Sequence, residues 1–288
     1  VDVLDELSVL PGRIGLESDA FFVTPGQFFS LENRIEQAGG ATARCNGLVE
    51  SLRAVKSSAE LDYLRKGAPV AAAAMGAAVS VSRAGVRECD VAAAALRVLA
   101  GSGSEYSGLP PSLASGPRSG LVHNAWSDRV LEDGDPLTYE MPACFKRYHC
   151  PLFRTGIVGR PSRELRADAA LVAEAVTATI ENELRAGRTS GEVHTGIKNI
   201  YRRAGAEEKI SFRVGYSLGI GYPPDNGEGH IISLQENDER LIKAGMVFHL
   251  SAGVMNPGKY LVGMSEVLHV RADACKVLSH FPRELFQA

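Results

Sequence analysis

The chain has 288 residues, 45% of them hydrophobic and 23% charged, and 31 basic against 34 acidic side chains leave a net charge of −3. Such a chain is long enough to bury a large core, and it lacks the basic tract of a nucleic-acid binder. It also lacks the run of roughly 18 apolar residues that a spanning helix needs, so no membrane segment is expected.

The opening residues, Val1 to Glu6, have neither a basic stretch nor an apolar stretch, so no secretory leader is expected. Residues 1–50 read as short strands at Arg13–Glu17 and Ala20–Thr24, with a helix from Gln27 to Gln37 between glycine turns. Ser57-Ser58-Ala59-Glu60 has the form of a capping box, and the Ala-rich run Leu61–Val81 predicts a helix that Pro69 is expected to kink or to divide into two segments. Val86–Leu99 predicts another helix, and the Gly/Ser/Pro-rich stretch 101–120 a loop. Two strands, Leu137–Met141 and Tyr148–Val158, are expected around a turn near Lys146. Helices follow at Arg163–Arg185 and Gly191–Ala204. Residues 210–288 read mainly as strand and turn, with strands at Met246–Ser251, Lys259–Leu261 and Val267–Val270. The order implies an α+β fold, divided into a short segment 1–52 and a main domain 53–288.

Several local patterns carry chemistry. His123 ends a polar loop, and Glu140 lies in an apolar strand. Tyr148 to Thr155 groups His149, Cys150 and Arg154, and Glu266 precedes a strand. The segment Gly215 to Asp225, followed by Glu228, is glycine-rich, but it matches neither GxGxxG nor GxxxxGK[ST], so it is not a nucleotide cradle. Five cysteines (Cys45, Cys89, Cys144, Cys150, Cys275) show no zinc or disulfide spacing, which suits reduced thiols and a cytoplasmic location.

The run Leu52 to Leu61, then Asp133-Gly134-Asp135, Glu140, Arg154-Thr155, Gly245-Met246-Val247-Phe248 and Glu266, resembles the pita-bread fold of creatinase, Xaa-Pro aminopeptidase and methionine aminopeptidase. The resemblance covers residues 50–288 and implies a pseudo-two-fold antiparallel sheet flanked by helices, with residues 1–52 as the remnant of an N-terminal α/β domain. It also implies a homodimer acting on a small molecule. The metallopeptidases of this fold hold two metals with two Asp, one His and two Glu. Those positions fall here on Glu140, Pro151, Tyr216, the Ser251-Ala252 pair and Glu266, so a dinuclear site is not expected. The segments Arg147–Leu152, Gly215–Glu228 and Phe281–Phe286 are similar to the metal-free ectoine hydrolase group, although Asn226 stands where that group has an aromatic residue.

Without a Lewis acid, C–N cleavage needs a proton shuttle near neutrality and carboxylates that hold a cationic substrate. His123 suits the first task, and Glu140, Glu228 and Glu266 the second. Among these, His123, Glu140 and Glu266 are the expected catalytic residues. Tyr216, Glu228, His149, Arg154 and Tyr222 are expected to bind substrate, with no metal and no cofactor. If Glu140 and Pro151 face the pocket, as the resemblance implies, strand alternation puts His149 on that face and turns Cys150 away, which argues against a thiolate nucleophile. The expected activity is metal-independent hydrolysis of a C–N bond in a small cationic or zwitterionic metabolite. Three alternatives stand beside it: a lyase or tailoring enzyme, a non-catalytic binding protein, and an Xaa-Pro-type metallopeptidase.

Overall fold

The computed structural model describes residues 1–20, 22–210 and 213–288. Its contacts divide it into two compact units, Val1–Arg53 and Ala54–Ala288.

The first unit holds α1 (Asp2–Glu6), β1 (Arg13–Leu16), α2 (Pro25–Gln37), β2 (Ala41–Arg44) and α3 (Leu48–Arg53). β1 and β2 pair in parallel, with Arg13 opposite Ala41, and Leu16, Phe28 and Ile35 form a small core. Thr24 caps α2 by accepting from the Gln27 amide, while the Gln27 side chain accepts from the Thr24 amide. That cap explains why the stretch expected as a strand at Ala20–Thr24 is a turn from Phe22 to Thr24; Phe21 lies outside the described residues.

In the second unit, α4 (Ser58–Val81) begins at the Ser57/Glu60 capping box. Pro69 leaves it unbroken; its missing amide proton lies on the exposed side of the helix. α5 (Glu88–Gly101) packs against α4 through an alanine-rich seam that includes Ala71, Ala74, Ala78, Ala92 and Ala95. The glycine- and proline-rich stretch after it is not all loop. β3 (Ser112–Ser115) joins a sheet edge, and a 3₁₀ turn covers Gly116–Gly120. β4 (Pro136–Phe145) and β5 (Tyr148–Ile157) form a hairpin whose turn places Lys146 and Arg147 at positive φ.

α6 (Arg163–Ala178) then passes into a π-helical turn, Thr179–Glu183, and α7 (Ser190–Arg203) follows. Four strands come next: β6 (Arg213–Ser217), β7 (Ser233–Gln235), β8 (Val247–Asn256) and β9 (Tyr260–Val270). The chain ends with β10 (Cys275–Val277) and β11 (Phe286–Gln287). The expected strands near 260 and 267 are therefore one strand, β9, and every residue of it is buried. Of the stretch expected as strand and turn from 210, Ser211 and Phe212 lie outside the described residues.

Among the described residues the second unit has two sheets, ordered β11-β5-β4-β3 and β10-β9-β8-β6-β7. Each is built around a long antiparallel hairpin preceded in sequence by two helices. α4 and α5 precede β4–β5, and α6 and α7 precede β8–β9. β5 and β9 meet where the sheets abut, and the Ser265 hydroxyl accepts from the Phe153 amide there at 2.7 Å. This repeated layout is the pseudo-symmetric α+β arrangement expected from the sequence.

Candidate active site

A cavity of about 210 Å³ opens where the two hairpins come together. Its wall includes His123, Glu140, Phe153, Arg213, Tyr216, His249 and Ser251. Strand register explains the set. Glu140 and Phe153 are cross-strand partners on β4 and β5 and so share a face. Tyr216 and His249 are partners on β6 and β8, with their rings edge to face at 5.1 Å and 74°. Gly263 closes the floor because a Cβ there would lie 1.9 Å from the Phe153 ring.

His123 reaches the rim from the loop after the 3₁₀ turn, in the left-handed region at φ 56° and about half exposed. A non-glycine residue held there is uncommon. The loop is clamped from beneath by Glu88 at the start of α5. One Glu88 oxygen accepts from the Ser115 amide and hydroxyl at 2.8 and 2.7 Å. The other accepts from the Ser127 amide and hydroxyl at 2.8 and 2.7 Å and from Arg118 at 2.6 Å. Asn124 adds donations to the Arg118 and Leu121 carbonyls. His123 Nε2 thereby stands 3.9 Å from Glu140 Oε2.

Electrostatics polarise the cavity. Burial raises the pKa of Glu140, His123 opposes the rise, and Asp225 adds to it. Burial, with Glu140 and Asp225, keeps the Tyr216 phenol protonated well past its usual range. Burial, helped by Arg213, Arg154 and His123, pushes His249 down to about 3. Its imidazole is therefore neutral, and neither ring nitrogen has a hydrogen-bond partner among the described residues.

Five of the eight expected site residues lie elsewhere. Glu266 is opposite Leu250 in register, so alternation turns it to the face of β9 away from Ser251 and the cavity. There it accepts from Arg154 at 2.8 Å, Arg283 at 3.0 Å and the Ser279 hydroxyl at 2.6 Å. Arg154 shares that side, fully buried, and also donates to the carbonyls of Ser265, Phe281 and Pro282. Glu228 is paired with Lys56 at 2.8 Å, both 1% exposed, and accepts from the Ile220 amide. His149 accepts from the Gly108 amide at 2.9 Å; burial and Arg147 lower it to about 4, which leaves it a neutral strut. Tyr222 is 52% exposed and lies over Arg147. These side chains are fastened to protein, and none of them lines the cavity. Cys150 points away as expected: its thiol donates to the Leu64 carbonyl at 3.2 Å, and burial raises its pKa strongly.

His249, Arg213 and Glu88 were not foreseen. His249 stands in the late-strand segment and Arg213 just before the glycine-rich one, and the β6–β8 register that brings their strands together is not visible in the linear sequence. Asn226 acts between loops, accepting from the Leu109 amide at 2.6 Å.

The residues present do not fit a dinuclear metal centre. Of the five ligand positions implied by the resemblance, only Glu140 offers a carboxylate to the cavity. Glu266 is committed to two guanidinium groups on the far side, and in register its place is taken by Ser265, opposite Ser251. Among the described residues no three His, Cys, Asp or Glu side chains gather closely enough to hold an ion.

Comparisons with known proteins identify the fold and the family. The profile of metallopeptidase family M24 matches residues 62–272. Ectoine hydrolase of Halomonas elongata is 29% identical over 288 residues, covering 96% of this chain and 70% of that protein. The Xaa-Pro dipeptidase of Pyrococcus furiosus is 27% identical over 242 residues, covering 84% of this chain and 68% of that protein. Among solved structures, the Xaa-Pro dipeptidase from Bacillus anthracis superposes with a TM-score of 0.88 at 26% identity, covering 100% of this chain and 78% of the other. With its family profile spanning most of the second unit and its fold matching throughout, the chain belongs to the M24 family of pita-bread hydrolases.

Proposed function

We propose that this protein is a metal-independent hydrolase of a C–N bond in a small polar metabolite, with the reaction carried by His123 and Glu140. The observation that carries the reading is the 3.9 Å approach of His123 to a buried carboxyl at the mouth of a small cavity. A cavity of about 210 Å³ is below the range of drug-sized pockets, and so it suits a compact metabolite rather than a peptide.

A cationic amidine or guanidine entering the cavity favours passage of the Glu140 proton outward to His123 at the rim, because a buried carboxylate is stable only beside a charged partner. The ionised carboxylate then faces the electrophilic carbon and accepts a proton from the attacking water. His123, at the solvent side, delivers a proton to the departing nitrogen. Burial raises the Glu140 pKa, so the carboxyl keeps its proton more readily until a cationic substrate arrives. The likeness to ectoine hydrolase supports the non-peptide C–N bond, and the loss of four of five ligand positions supports independence from metal.

The test is turnover of a panel of small amidines, guanidines and cyclic amides before and after exhaustive chelation. Activity is expected to survive chelation, and H123A and E140Q are each expected to lower kcat by about 10²–10⁴. Loss on chelation with rescue by Mn²⁺ or Zn²⁺ would contradict the reading. A single turnover in H₂¹⁸O is expected to label the product and leave the Glu140 carboxyl unlabelled.

A further inference from the structure

The β4–β5 hairpin turns at Lys146-Arg147, with φ 50° and 68°. A two-residue turn of this kind favours Asn-Gly, because other side chains are strained at positive φ. Arginine in the glycine-preferring position points to work done by its side chain. Although it stands at a hairpin tip, that side chain is only 12% exposed. Nη1 donates to the Tyr106 carbonyl at 2.6 Å, and Nε and Nη2 donate to the Gly221 carbonyl at 3.2 and 3.1 Å. The Tyr106 and Tyr222 rings lie beside the guanidinium, with centroids 4.3 and 5.0 Å from Cζ. The Arg147 carbonyl in turn accepts from the Gly221 amide at 2.9 Å. Arg147 thus joins three stretches distant in sequence: the connection after α5, the hairpin tip and the loop after β6. Two more contacts bind the same stretches, from the Gly108 amide to His149 and from the Leu109 amide to Asn226. The first and third approach so closely that a Cβ on Gly108 would lie 1.8 Å from the Asp225 carbonyl.

The loop after β6 leads inward to the cavity. It leaves at Ser217 and returns at Glu228, whose amide donates to the Ser217 carbonyl at 2.7 Å. Just inside that closure Gly227 lies against Tyr216, where a Cβ would come 2.3 Å from the ring. Asp225, nearer the outer end, is one of the two acids that act on Tyr216. The inner fastening of the loop is the buried Lys56–Glu228 pair, and removing either partner would strand the other charge. Arg147 is the outer fastening, and it does not line the cavity.

We propose that Arg147 is a positioning residue: by tying the three stretches into one rim it holds the loop after β6, and with it the Tyr216 wall of the cavity, in place. The proposal rests on the hydrolase reading only for its effect on turnover.

R147G gives the turn the residue it prefers, so the hairpin backbone is relieved and the effect of the lost side chain stands alone. The whole protein and the variant are compared by amide hydrogen exchange and by the Tyr216 ring signals in NMR spectra. Exchange at Gly108 and Leu109 is expected to quicken at least about tenfold, because charge-assisted hydrogen bonds to two carbonyls are lost. The β8–β9 amides are expected to keep their wild-type rates, and the Tyr216 signals to shift. R147K keeps the charge but not the planar fork, so it is expected to show most of the same change. Should R147G fail to fold, R147K carries the comparison. Any panel compound that the wild type hydrolyses is expected to show a kcat about tenfold lower in the variant. Unchanged exchange at Gly108 and Leu109, a uniform rise across the protein, an unmoved Tyr216 signal or an equal kcat overturns the proposal. A wild type that hydrolyses no panel compound contradicts the hydrolase reading alone, and the exchange rates and ring signals still decide the role of Arg147.

Discussion

At Glu140 burial favours the neutral acid, His123 works against it, and Asp225 reinforces it. A carboxyl whose folded pKa is raised contributes stability that is complete at low pH and is lost as the pH rises through that folded value. E140Q escapes the loss, since its amide never ionises. The variant is therefore expected to match the wild type near pH 4 and to exceed it at pH 8 by about 0.5–2 kcal/mol, the usual gain when a functional group held at a cost is replaced. Calorimetric melting of both proteins at the two pH values checks this; a variant less stable at pH 8 would show that Glu140 is ionised and partnered in the empty protein. The same residue is therefore expected to trade stability for catalysis.

Among the elements, β9 shows what a one-residue offset does. Ser265 and Glu266 are neighbours, yet the pleat sends Ser265 towards Phe153 and Glu266 into the Arg154–Arg283–Ser279 cluster. An acidic residue near the expected spacing is thus held by two guanidinium groups and does not line the cavity. Removing one partner of a buried pair strands the other charge, so E266Q is expected to lower stability by about 3–5 kcal/mol. At a temperature where the variant is still folded, its kcat should stay within a few fold of wild type. A loss of kcat as large as that of E140Q, without a fall in the melting temperature, would return Glu266 to the reaction. The Glu88 clamp shows the converse. An unremarked acid in the first turn of α5 holds both ends of the loop that carries His123, and no local pattern distinguishes it from an ordinary helix-start acid.

For the whole molecule, carboxylates held by hydrogen bonds set the acid limit. Burial would raise Glu88, Glu60 and Asp238, but hydrogen bonds from Ser127, Ser115 and Arg118, from Ser57 and Tyr148, and from Arg240 hold all three below the ordinary range. For a group depressed on folding, the stabilisation is present above the unfolded pKa and is lost as the pH falls through the folded one. Stability is therefore expected to fall off below about pH 4, the ordinary carboxylate range. E88Q is expected to flatten that fall, as urea unfolding measured between pH 3 and 7 would show. An unchanged pH dependence in E88Q would mean that the clamp is no more favourable to the carboxylate than water is.

Helices α4, α5 and α7, the β4–β5 hairpin and the family were legible in the linear order, because capping boxes, alanine-rich seams and the spacing of motifs are local or ordinal properties of the chain. So was the turning away of Cys150, since alternation along its strand sets it opposite to Pro151, which the resemblance puts on the pocket face. What the chain could not disclose alone was which distant strands stand in register. His249 joins Tyr216 only through the β6–β8 pairing, and Glu266 leaves the cavity only through the β8–β9 register, where a shift of one position exchanges the faces of every side chain. Composition and motif order decided the fold; the cross-strand register, fixed by the packing of two hairpins, decided which acids and imidazoles meet in the cavity.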